Sequence, residues 1–316
     1  MKNQNNFYKS DILTVDQFDK KDLRAITDQA HKMKQLVKEK GGTDILKNKI
    51  MTALFYEPSS RTFASFITAM QRLGGGIIPI QGVAYSSVSK GEILVDTIRT
   101  FASFSDIVVL RHPEVGSARL AAEFCDRPLI NAGDGVGEHP TQALLDFFTI
   151  SGHFEGVKGL KVAMIGDLLN GRTIHSLSKL LSLYSPITLY LVSPTLLKMP
   201  AEIITRLKKR GVTIHESDEL AEVLDKIDVL YVTRVQKERF TDLDTYEKFK
   251  LRYVVTPQIM KKLKTKAIVM HPFPRVGEIT LDVDLDPRAL YIREQIPNGM
   301  YIRMALLSLI FGVNNC

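Results

Sequence analysis

Short apolar runs alternate with helical patterns along most of the chain, and this alternation limits the fold more than any other feature. The runs that suit buried strands lie at 50–56, 77–80, 106–110, 128–131, 160–165, 187–192, 212–215, 228–233 and 267–270. Apolar residues at helical spacing follow most of these runs, first at Phe63, Phe66, Ile67, Met70 and Leu73. Strands that alternate with helices in this way predict an α/β protein with mostly parallel sheets.

The length of 316 residues suggests two domains, each with its own core. The glycine-rich polar stretch 152–159 could separate them, because the alternation of strands and helices restarts after it. We therefore predict two doubly wound domains. The helical patterns at 20–40, 201–209, 218–224 and 298–313 are expected to pack on them.

Composition and charge exclude several classes of protein. Hydrophobic content of 45% and charged content of 24% are ordinary for a globular protein. The net charge of +7 suits anionic small molecules, and no interleaving of aromatic and basic residues favours nucleic acid. We expect no membrane span, because no run of 18 apolar residues occurs, and an N-terminus without an apolar segment suggests a cytoplasmic protein. Cys125 and Cys316 offer neither a disulfide framework nor metal spacing.

Residues 59–62 (SSRT) place hydroxyls and a guanidinium where a strand ends and a helix begins. The unpaired N–H groups and the positive dipole end of a helix N-terminus attract anions. Arg61 adds a planar set of donors that matches phosphate oxygens. A serine N-cap beside a solvated arginine would give the same pattern, so this motif alone leaves both interpretations open.

Polar residues recur at the ends of other predicted strands. Arg111 follows one strand, and His139 and Gln142 follow the next. Because the carboxyl ends of parallel strands share one edge of a sheet, where ligands usually bind, this repetition favours an anion site that includes Arg61 and Arg111. His139 alone would more often be a helix cap or a surface group.

The second half of the chain repeats this arrangement, with Arg172, Arg234 and Gln236 at strand exits. Gly166 and Gly171 do not have the G-x-G-x-x-G spacing of a dinucleotide-binding turn, which argues against a nicotinamide enzyme. A polar loop at 84–91 could bring a serine and a lysine to an anion, although such a pair is weak evidence by itself.

Six ordered motifs between residues 55 and 275 together resemble the aspartate/ornithine carbamoyltransferase family. They are FYEPSSRT (55–62), RHP (111–113), NAGDGVGEHPTQA (131–143), GDLLNGRT (166–173), VTRVQKER (232–239) and HPFPR (271–275). The resemblance implies carbamoyl transfer from carbamoyl phosphate to the amine of L-aspartate, a step of pyrimidine synthesis. It also implies a homotrimer with shared active sites that uses neither cofactor nor metal, and it leaves open whether regulatory chains or partner enzymes attach.

The acceptor implied by the resemblance is aspartate, and ornithine is the alternative. Ornithine enzymes carry HCLP where this chain has HPFP (271–274), and they lack the TRVQKER stretch (233–239). Arg172 and Arg234 suit an acceptor with two carboxylates and would repel the cationic side chain of ornithine. A family member without catalytic activity and a basic nucleic-acid binder are further alternatives. Against the former, every ligand position is filled by a competent residue.

The resemblance also implies roles for individual residues and limits for the domains. The residues expected to bind carbamoyl phosphate are Ser59, Ser60, Arg61, Thr62, Arg111, His139 and Gln142, with Arg61, Thr62, Arg111 and His139 acting in catalysis. Those expected to bind aspartate are Lys90, Arg172, Arg234, Gln236 and the carbonyls of Phe273 and Pro274, with Ser86 and Lys90 supplied by a neighbouring subunit. The implied domains are 1–140, completed by a C-terminal helix (298–316) that crosses back to it, and 141–297.

Two further expectations come from the resemblance. Leu169 and Asn170 stand where many relatives have a lysine followed by an aromatic residue or histidine, so contacts between subunits or during closure are expected to differ there. Glu57 and Arg275 are expected to help hold the two domains together. Guanidinium groups from both halves of the chain are expected to serve one cleft for two anionic reactants.

Overall fold

The computed structural model describes residues 7–82, 87–237 and 242–313. The chain forms two compact units, Met1–Leu145 together with Asn298–Cys316, and Asp146–Pro297. Ser86, one of the residues predicted for the site, and the last residues of the TRVQKER stretch (238–239) lie outside the described residues. We describe each unit by itself.

The sheet of the first unit contains four strands, β1 (Ile50–Phe55), β2 (Gly76–Gln81), β3 (Ile107–His112) and β4 (Leu129–Asp134). Their order is β2-β1-β3-β4, and all neighbouring pairs are parallel. The strands β1, β3 and β4 are almost entirely buried, which explains why their sequences are continuous apolar runs. Because neighbouring strands are parallel, their carboxyl ends lie side by side.

The helices that begin in this unit are α1 (Lys20–Lys40), α2 (Ser60–Arg72), α3 (Leu94–Phe104), α4 (Ser117–Glu123) and α5 (Pro140–Phe154), of which only the part up to Leu145 belongs to it. The helices α2, α3 and α4 pack on the sheet. The predicted limits of α1 are confirmed, since Asp19 and Asp22 form a capping box at its start and Gly41 ends it in the left-handed conformation. Leu23, on the apolar face of α1, is fully buried, and such burial contributes about 1.5–3 kcal/mol to folding stability.

The sheet of the second unit contains five strands, β5 (Lys161–Ile165), β6 (Ile187–Val192), β7 (Val212–Ser217), β8 (Val229–Val232) and β9 (Ile268–Met270). The order is β7-β6-β5-β8-β9, again with parallel neighbours. The helices are α6 (Arg172–Ser182), α7 (Ala201–Lys209), α8 (Leu243–Phe249) and α9 (Pro257–Lys262). Two doubly wound parallel-sheet units confirm the predicted fold class.

The last helix, α10 (Ile296–Ile310), belongs to the first unit from Asn298 onward. The backbone N–H of Lys9 donates to the carbonyl of Ile310 at 2.9 Å, and the Gln29 amide donates to Ser308 at 3.1 Å. Arg303 lies over the ring of Phe66 at 5.0 Å. The end of the chain therefore completes the core of the unit that contains β1 to β4.

Some local predictions were wrong. The pattern at 218–224 forms only a 3₁₀ turn, Leu220–Glu222, because the Ser217 hydroxyl bonds to Glu222 and accepts from the N–H of Glu219, which fixes a compact turn. The short helices α4 and α8 were not predicted. The compact units divide inside α5, between Leu145 and Asp146, a few residues before the glycine-rich stretch 152–159. Within the part of the chain described, no helix combines the length and apolarity that a membrane span requires.

Candidate functional site

The first group of predicted residues lies at the start of α2, which follows β1. The helix begins at Ser60, one turn earlier than the apolar spacing indicated, so Arg61 and Thr62 lie in its first turn. Ser59 is the N-cap, and within the described residues its side chain makes no hydrogen bond to the start of the helix. The start of a helix, with its N–H groups and positive dipole end, is an arrangement that binds phosphate in proteins. Arg61 is exposed and Thr62 is buried.

Arg111 lies at the carboxyl end of β3, in register with Phe55 of the neighbouring strand β1. Its guanidinium pairs with the Glu57 carboxylate at 3.2 Å and donates to the carbonyl of Ala132 at 3.2 Å. Burial lowers the pKa of Arg111, Glu57 opposes this effect, and the charge of Arg61 adds to it. The two arginines thus interact electrostatically at one edge of the sheet, and Glu57 partly balances their charge.

The turn between β4 and α5 leads to His139, and Asp134 organises it. The Asp134 carboxylate accepts from the N–H groups of Gly116 and Glu138, each at 2.8 Å, and from the Asn131 amide at 3.3 Å. Gly135 is required because a Cβ there, at a φ of +49°, would lie 2.5 Å from the carbonyl oxygen of Pro113. Asp134 therefore links the exits of β3 and β4.

His139 is buried and directly precedes α5, whose first residue is Pro140. Its carbonyl accepts from the N–H groups of Gln142 and Ala143, both at 3.1 Å. The structure thus places His139 and Gln142 within one helical turn, after the strand next to that of Arg111. Lys90 is exposed and ends a 3₁₀ turn, Ser87–Lys90, that follows the exit of β2.

In the second unit, the turn after β5 leads to Arg172, the first residue of α6. Gly166 lies so close to the next strand exit that a Cβ would meet the Thr233 carbonyl oxygen at 2.2 Å. The Asp167 carboxylate is fully buried and accepts from the backbone N–H of Asn170 at 2.9 Å. Backbone contacts therefore fix the position at which Arg172 begins its helix.

Gln236 follows β8, the neighbour of β5, and its side-chain amide donates to the carbonyl of Asn170 at 3.0 Å. The N–H of Arg172 donates to the same carbonyl at 2.9 Å. Arg234 is half-buried at the same strand exit. The structure therefore brings Arg172 and Gln236 to one backbone carbonyl, with Arg234 two residues from Gln236.

Phe273 and Pro274 follow β9, at the end of the sheet next to β8. The buried ring of His271 supports this segment. Its Nδ1 accepts from the N–H of Phe273 at 2.8 Å, so the proton lies on Nε2, which donates to Glu278 at 2.6 Å. Burial raises the pKa of the Glu278 carboxyl, but the hydrogen bond from His271, the electrostatic interaction with that ring and backbone N–H groups lower it below its ordinary value.

A buried chain of hydrogen bonds continues behind His271. Its backbone N–H donates to Gln295 at 2.9 Å, and the Gln295 amide donates to the Asp146 carboxylate at 2.7 Å. Tyr231, in β8, donates to the same carboxylate at 2.6 Å. These side chains therefore tie the exit of β9 to β8 and to the start of the unit.

Sequence reasoning did not assign Asp134, Glu278 or the contact of Glu57 with Arg111. The AGDG turn before His139 was the available signal for Asp134, because aspartate often accepts from nearby backbone N–H groups in turns. Glu57 and Arg275 were expected to hold the domains together. In the structure each forms an ion pair inside its own unit, Glu57 with Arg111 and Arg275 with Asp284.

Among the described residues, no three or more His, Cys, Asp or Glu side chains lie together in a group suited to a metal ion. The expectation of a reaction without metal or cofactor stays a prediction.

Family models match both units. The carbamoyl-P binding domain of aspartate/ornithine carbamoyltransferase matches residues 10–152, and the Asp/Orn binding domain matches residues 158–310. The aspartate carbamoyltransferase catalytic subunit of Thermococcus gammatolerans is 47% identical over 96% of this chain and 98% of its own length. The multifunctional protein pyr1-3 of Dictyostelium discoideum is 51% identical over 95% of this chain. The chain spans 13–14% of the length of two such multifunctional relatives.

A solved structure agrees with these matches. Aspartate transcarbamoylase from Trypanosoma cruzi, in complex with carbamoyl phosphate and aspartate, superposes with a TM-score of 0.91 at 44% identity and covers 95% of this chain and 96% of its own. Both sheets, the six motifs and the family models therefore agree, and the chain belongs to the aspartate/ornithine carbamoyltransferase family.

Proposed function

We propose that this chain transfers the carbamoyl group of carbamoyl phosphate to the amine of L-aspartate. The products are N-carbamoyl-L-aspartate and phosphate, and the reaction is a step of de novo pyrimidine synthesis. The observation that carries the proposal is the match of both units to the two substrate-binding domains of one family, with relatives and solved structures named for aspartate as acceptor.

The first unit binds carbamoyl phosphate in this proposal. The N–H groups at the start of α2, the hydroxyls of Ser59 and Ser60 and the guanidinium of Arg61 bind the phosphate. Arg111 bridges the phosphate and the carbonyl oxygen, and Gln142 holds the carbamoyl amide. The position of Arg61 in the first turn of α2 and its electrostatic interaction with Arg111 support this assignment.

Negative charge grows on the carbonyl oxygen as the amine attacks and the tetrahedral centre forms. Arg111, Thr62 and His139 are the donors assigned to that oxygen, and donors fixed in advance stabilise such charge most effectively. His139 donates a hydrogen bond and does not act as the base, because the leaving phosphate can accept the amine proton. Carbamoyl phosphate is already activated, so the reaction as proposed needs neither a covalent intermediate nor a metal.

The second unit binds aspartate. Arg172, Arg234 and Gln236 orient the two carboxylates, the carbonyls of Phe273 and Pro274 lie near the amine, and Lys90 contributes from a neighbouring subunit. Bringing two anionic reactants together costs electrostatic repulsion, which these fixed cations offset. The same cations disfavour ornithine, whose side chain is positively charged.

The assembly and the location of the protein are part of the proposal. Ser86 and Lys90 complete the active site of a neighbouring subunit in a homotrimer, and the protein is cytoplasmic. The family resemblance supports both statements. Light scattering on the purified chain tests the first, with the mass of three chains as the expected result.

The deciding experiment offers the purified chain carbamoyl phosphate with either L-aspartate or L-ornithine and quantifies each carbamoylated product. We expect kcat/KM for aspartate to exceed that for ornithine by at least about 10³-fold, because the cationic side chain of ornithine would face Arg172 and Arg234 where aspartate has a carboxylate. Product from ornithine at a comparable rate, or no product from either amino acid, would contradict the proposal.

Binding of a bisubstrate mimic gives a second readout that does not depend on turnover. A molecule with one phosphonate and two carboxylates should raise the melting temperature, since a ligand at about 100 times its Kd adds about 2.7 kcal/mol to stability. A mimic that lacks the phosphonate should raise it less.

A further inference from the structure

The turn between β5 and α6 contains a buried carboxylate whose hydrogen bonds come from one neighbour. Asp167 is fully buried, and among the described residues every hydrogen bond that its carboxylate accepts comes from Asn170. The Asn170 backbone N–H donates to Oδ1 at 2.9 Å, and its side-chain Nδ2 lies 3.2 Å from Oδ1 and 3.1 Å from Oδ2. The side chain thus supplies two of these three contacts.

The same residue faces the predicted aspartate-binding groups with its carbonyl oxygen. The backbone N–H of Arg172 and the side-chain amide of Gln236 both donate to this oxygen, at 2.9 and 3.0 Å. Arg172 comes from the exit of β5 and Gln236 from the exit of β8. The orientation of the Asn170 peptide therefore sets the positions of two groups from different strands.

Backbone contacts and close packing hold the residues on both sides of Asn170. Leu168 is fully buried, its N–H donates to Leu197 at 3.0 Å, and its carbonyl contacts His175 Nε2 at 2.7 Å. A Cβ at Gly171 would lie 2.6 Å from the Asp167 carbonyl oxygen, so the chain passes close to itself on the other side. The contact of the Asn170 side chain with Asp167 can be removed by a substitution that leaves these backbone contacts in place.

We propose that Asn170 is a positioning residue for the acceptor substrate, because its side chain anchors on Asp167 and its carbonyl holds Arg172 and Gln236 in place for a dicarboxylate. The inference rests on the proposed function, since it assigns the acceptor site to these two residues. Asn170 contacts the groups that bind the acceptor and does not need to contact the reacting atoms.

This arrangement makes a selective prediction about kinetics. Loss of the side-chain anchor lets the peptide rotate, so Arg172 and Gln236 lose their shared acceptor while the residues of the first unit keep their contacts. The KM for aspartate should therefore rise, and the KM for carbamoyl phosphate should stay within about twofold. Inhibition by succinate, a dicarboxylate without the amine, should weaken by the same factor as the aspartate KM.

The test compares Asn170→Ala with the matched control Leu169→Ala in steady-state assays. Leu169 is the adjacent residue, its side chain is 43% exposed, and it makes none of the contacts of this turn described above. We expect Asn170→Ala to raise the aspartate KM and the succinate inhibition constant about 10-fold, the factor of a lost hydrogen bond of ordinary strength. Leu169→Ala should change both by less than about twofold.

A second variant and a double mutant separate positioning from stability. Asn170→Asp keeps the size of the side chain but replaces its donor amide by a carboxylate facing Asp167, so it should give an effect at least as large, and it serves as the test variant if Asn170→Ala does not fold. Combined with Gln236→Ala, the effect of Asn170→Ala should shrink, because residues that act through one another are not additive.

Two failures are distinguishable. A wild-type chain that forms no N-carbamoyl-L-aspartate would overturn the proposed function and this inference with it. An active wild-type chain whose folded Asn170 variants keep the wild-type KM for aspartate and the wild-type inhibition by succinate would overturn the positioning role alone. A lower melting temperature with unchanged KM would also count against it.

Discussion

The carboxyl edges of the two sheets both carry arginines at or near helix starts, but different contacts organise them. In the first unit the Arg111 guanidinium is held by a carboxylate, Glu57, at 3.2 Å. In the second unit the turn before Arg172 is held by amide donors: the Gln236 amide and the Arg172 N–H donate to the Asn170 carbonyl, and Asn170 donates to the Asp167 carboxylate. The described contacts of Arg111 thus include an ion pair, whereas those of the Asn170 turn are hydrogen bonds from amides to a carbonyl and a carboxylate.

The difference has a physical consequence for binding. An anion that approaches Arg111 competes with Glu57 for the guanidinium, so binding there weakens one ion pair while it forms another. The second edge can shift its amide contacts at a lower electrostatic cost, because a neutral hydrogen bond is about half as strong as a charge-assisted one. Mutations should therefore act mainly on chemistry at the first edge, and on substrate affinity or stability at the second.

The largest expected effect comes from Arg111→Ala. It removes the ion pair with Glu57 and the charge assigned to both the phosphate and the carbonyl oxygen. Two charge-assisted hydrogen bonds of about 1.5–3 kcal/mol each correspond to a loss in kcat/KM of about 10³-fold. Steady-state kinetics on the purified variant measures this loss.

The control for this variant is the double substitution Arg111→Ala with Glu57→Gln. Arg111→Ala alone leaves the Glu57 carboxylate without its partner, so it should also lower the melting temperature. The double variant should regain stability without regaining activity. Recovery of activity would show that Arg111 acts only through its pairing with Glu57, which would break the comparison.

His139→Ala should give a smaller effect at the same edge. Removal of one fixed donor to a developing oxyanion lowers kcat by about 10²-fold. His139→Asn, which can still donate, should retain more activity than the alanine variant. A loss as complete as that of Arg111→Ala, with no benefit from asparagine, would contradict the role of a single donor.

The smallest effect on catalysis is expected from Glu278→Gln at the second edge, where the change should appear in stability. The folded-state pKa of Glu278 lies below its ordinary value of 4.5, so the carboxylate stabilises the fold above about pH 4.5 and this contribution is lost as pH falls through the lower folded value. Near neutral pH we expect the variant to be about 1–3 kcal/mol less stable. The two carboxylate oxygens accept from His271 and from the N–H of Val276, and a glutamine would turn its NH2 group toward one of these donors.

Denaturant unfolding of both proteins between neutral pH and about pH 3.5 provides the measurement. The difference in stability between wild type and Glu278→Gln should decrease as the solution becomes more acidic. A constant difference over this range would show that the charge of Glu278 does not contribute. Activity near neutral pH should stay within about tenfold of wild type.

Much of the architecture could be predicted because the sequence marks its own element ends. The limits of α1, β6 and α7 are confirmed to the residue, at Lys20–Lys40, Ile187–Val192 and Ala201–Lys209. Caps, glycines and prolines at these ends act locally, so a single sequence contains the needed information. The helical pattern at 218–224 failed because a nearby serine offered the backbone another set of hydrogen bonds.

The site could be predicted only in part, because many of its contacts join segments that are distant in sequence. The strand exits identified Arg111 and Gln236, but the pairing of Arg111 with Glu57 depends on the neighbouring positions of β1 and β3. Likewise the contact of Gln236 with Asn170 joins residues 66 positions apart. The roles carried over from the family stay predictions until the variants above are measured.

The place of α10 in the first unit has a consequence for synthesis on the ribosome. The strands β1 to β4 are made before residue 145, yet the helix that contacts Lys9, Gln29 and Phe66 is made only after the whole second unit. The later unit, Asp146–Pro297, is contiguous and can complete its core first. The unit that contains β1 to β4 must therefore wait, with part of its apolar surface uncovered, until residues 296–310 have been made.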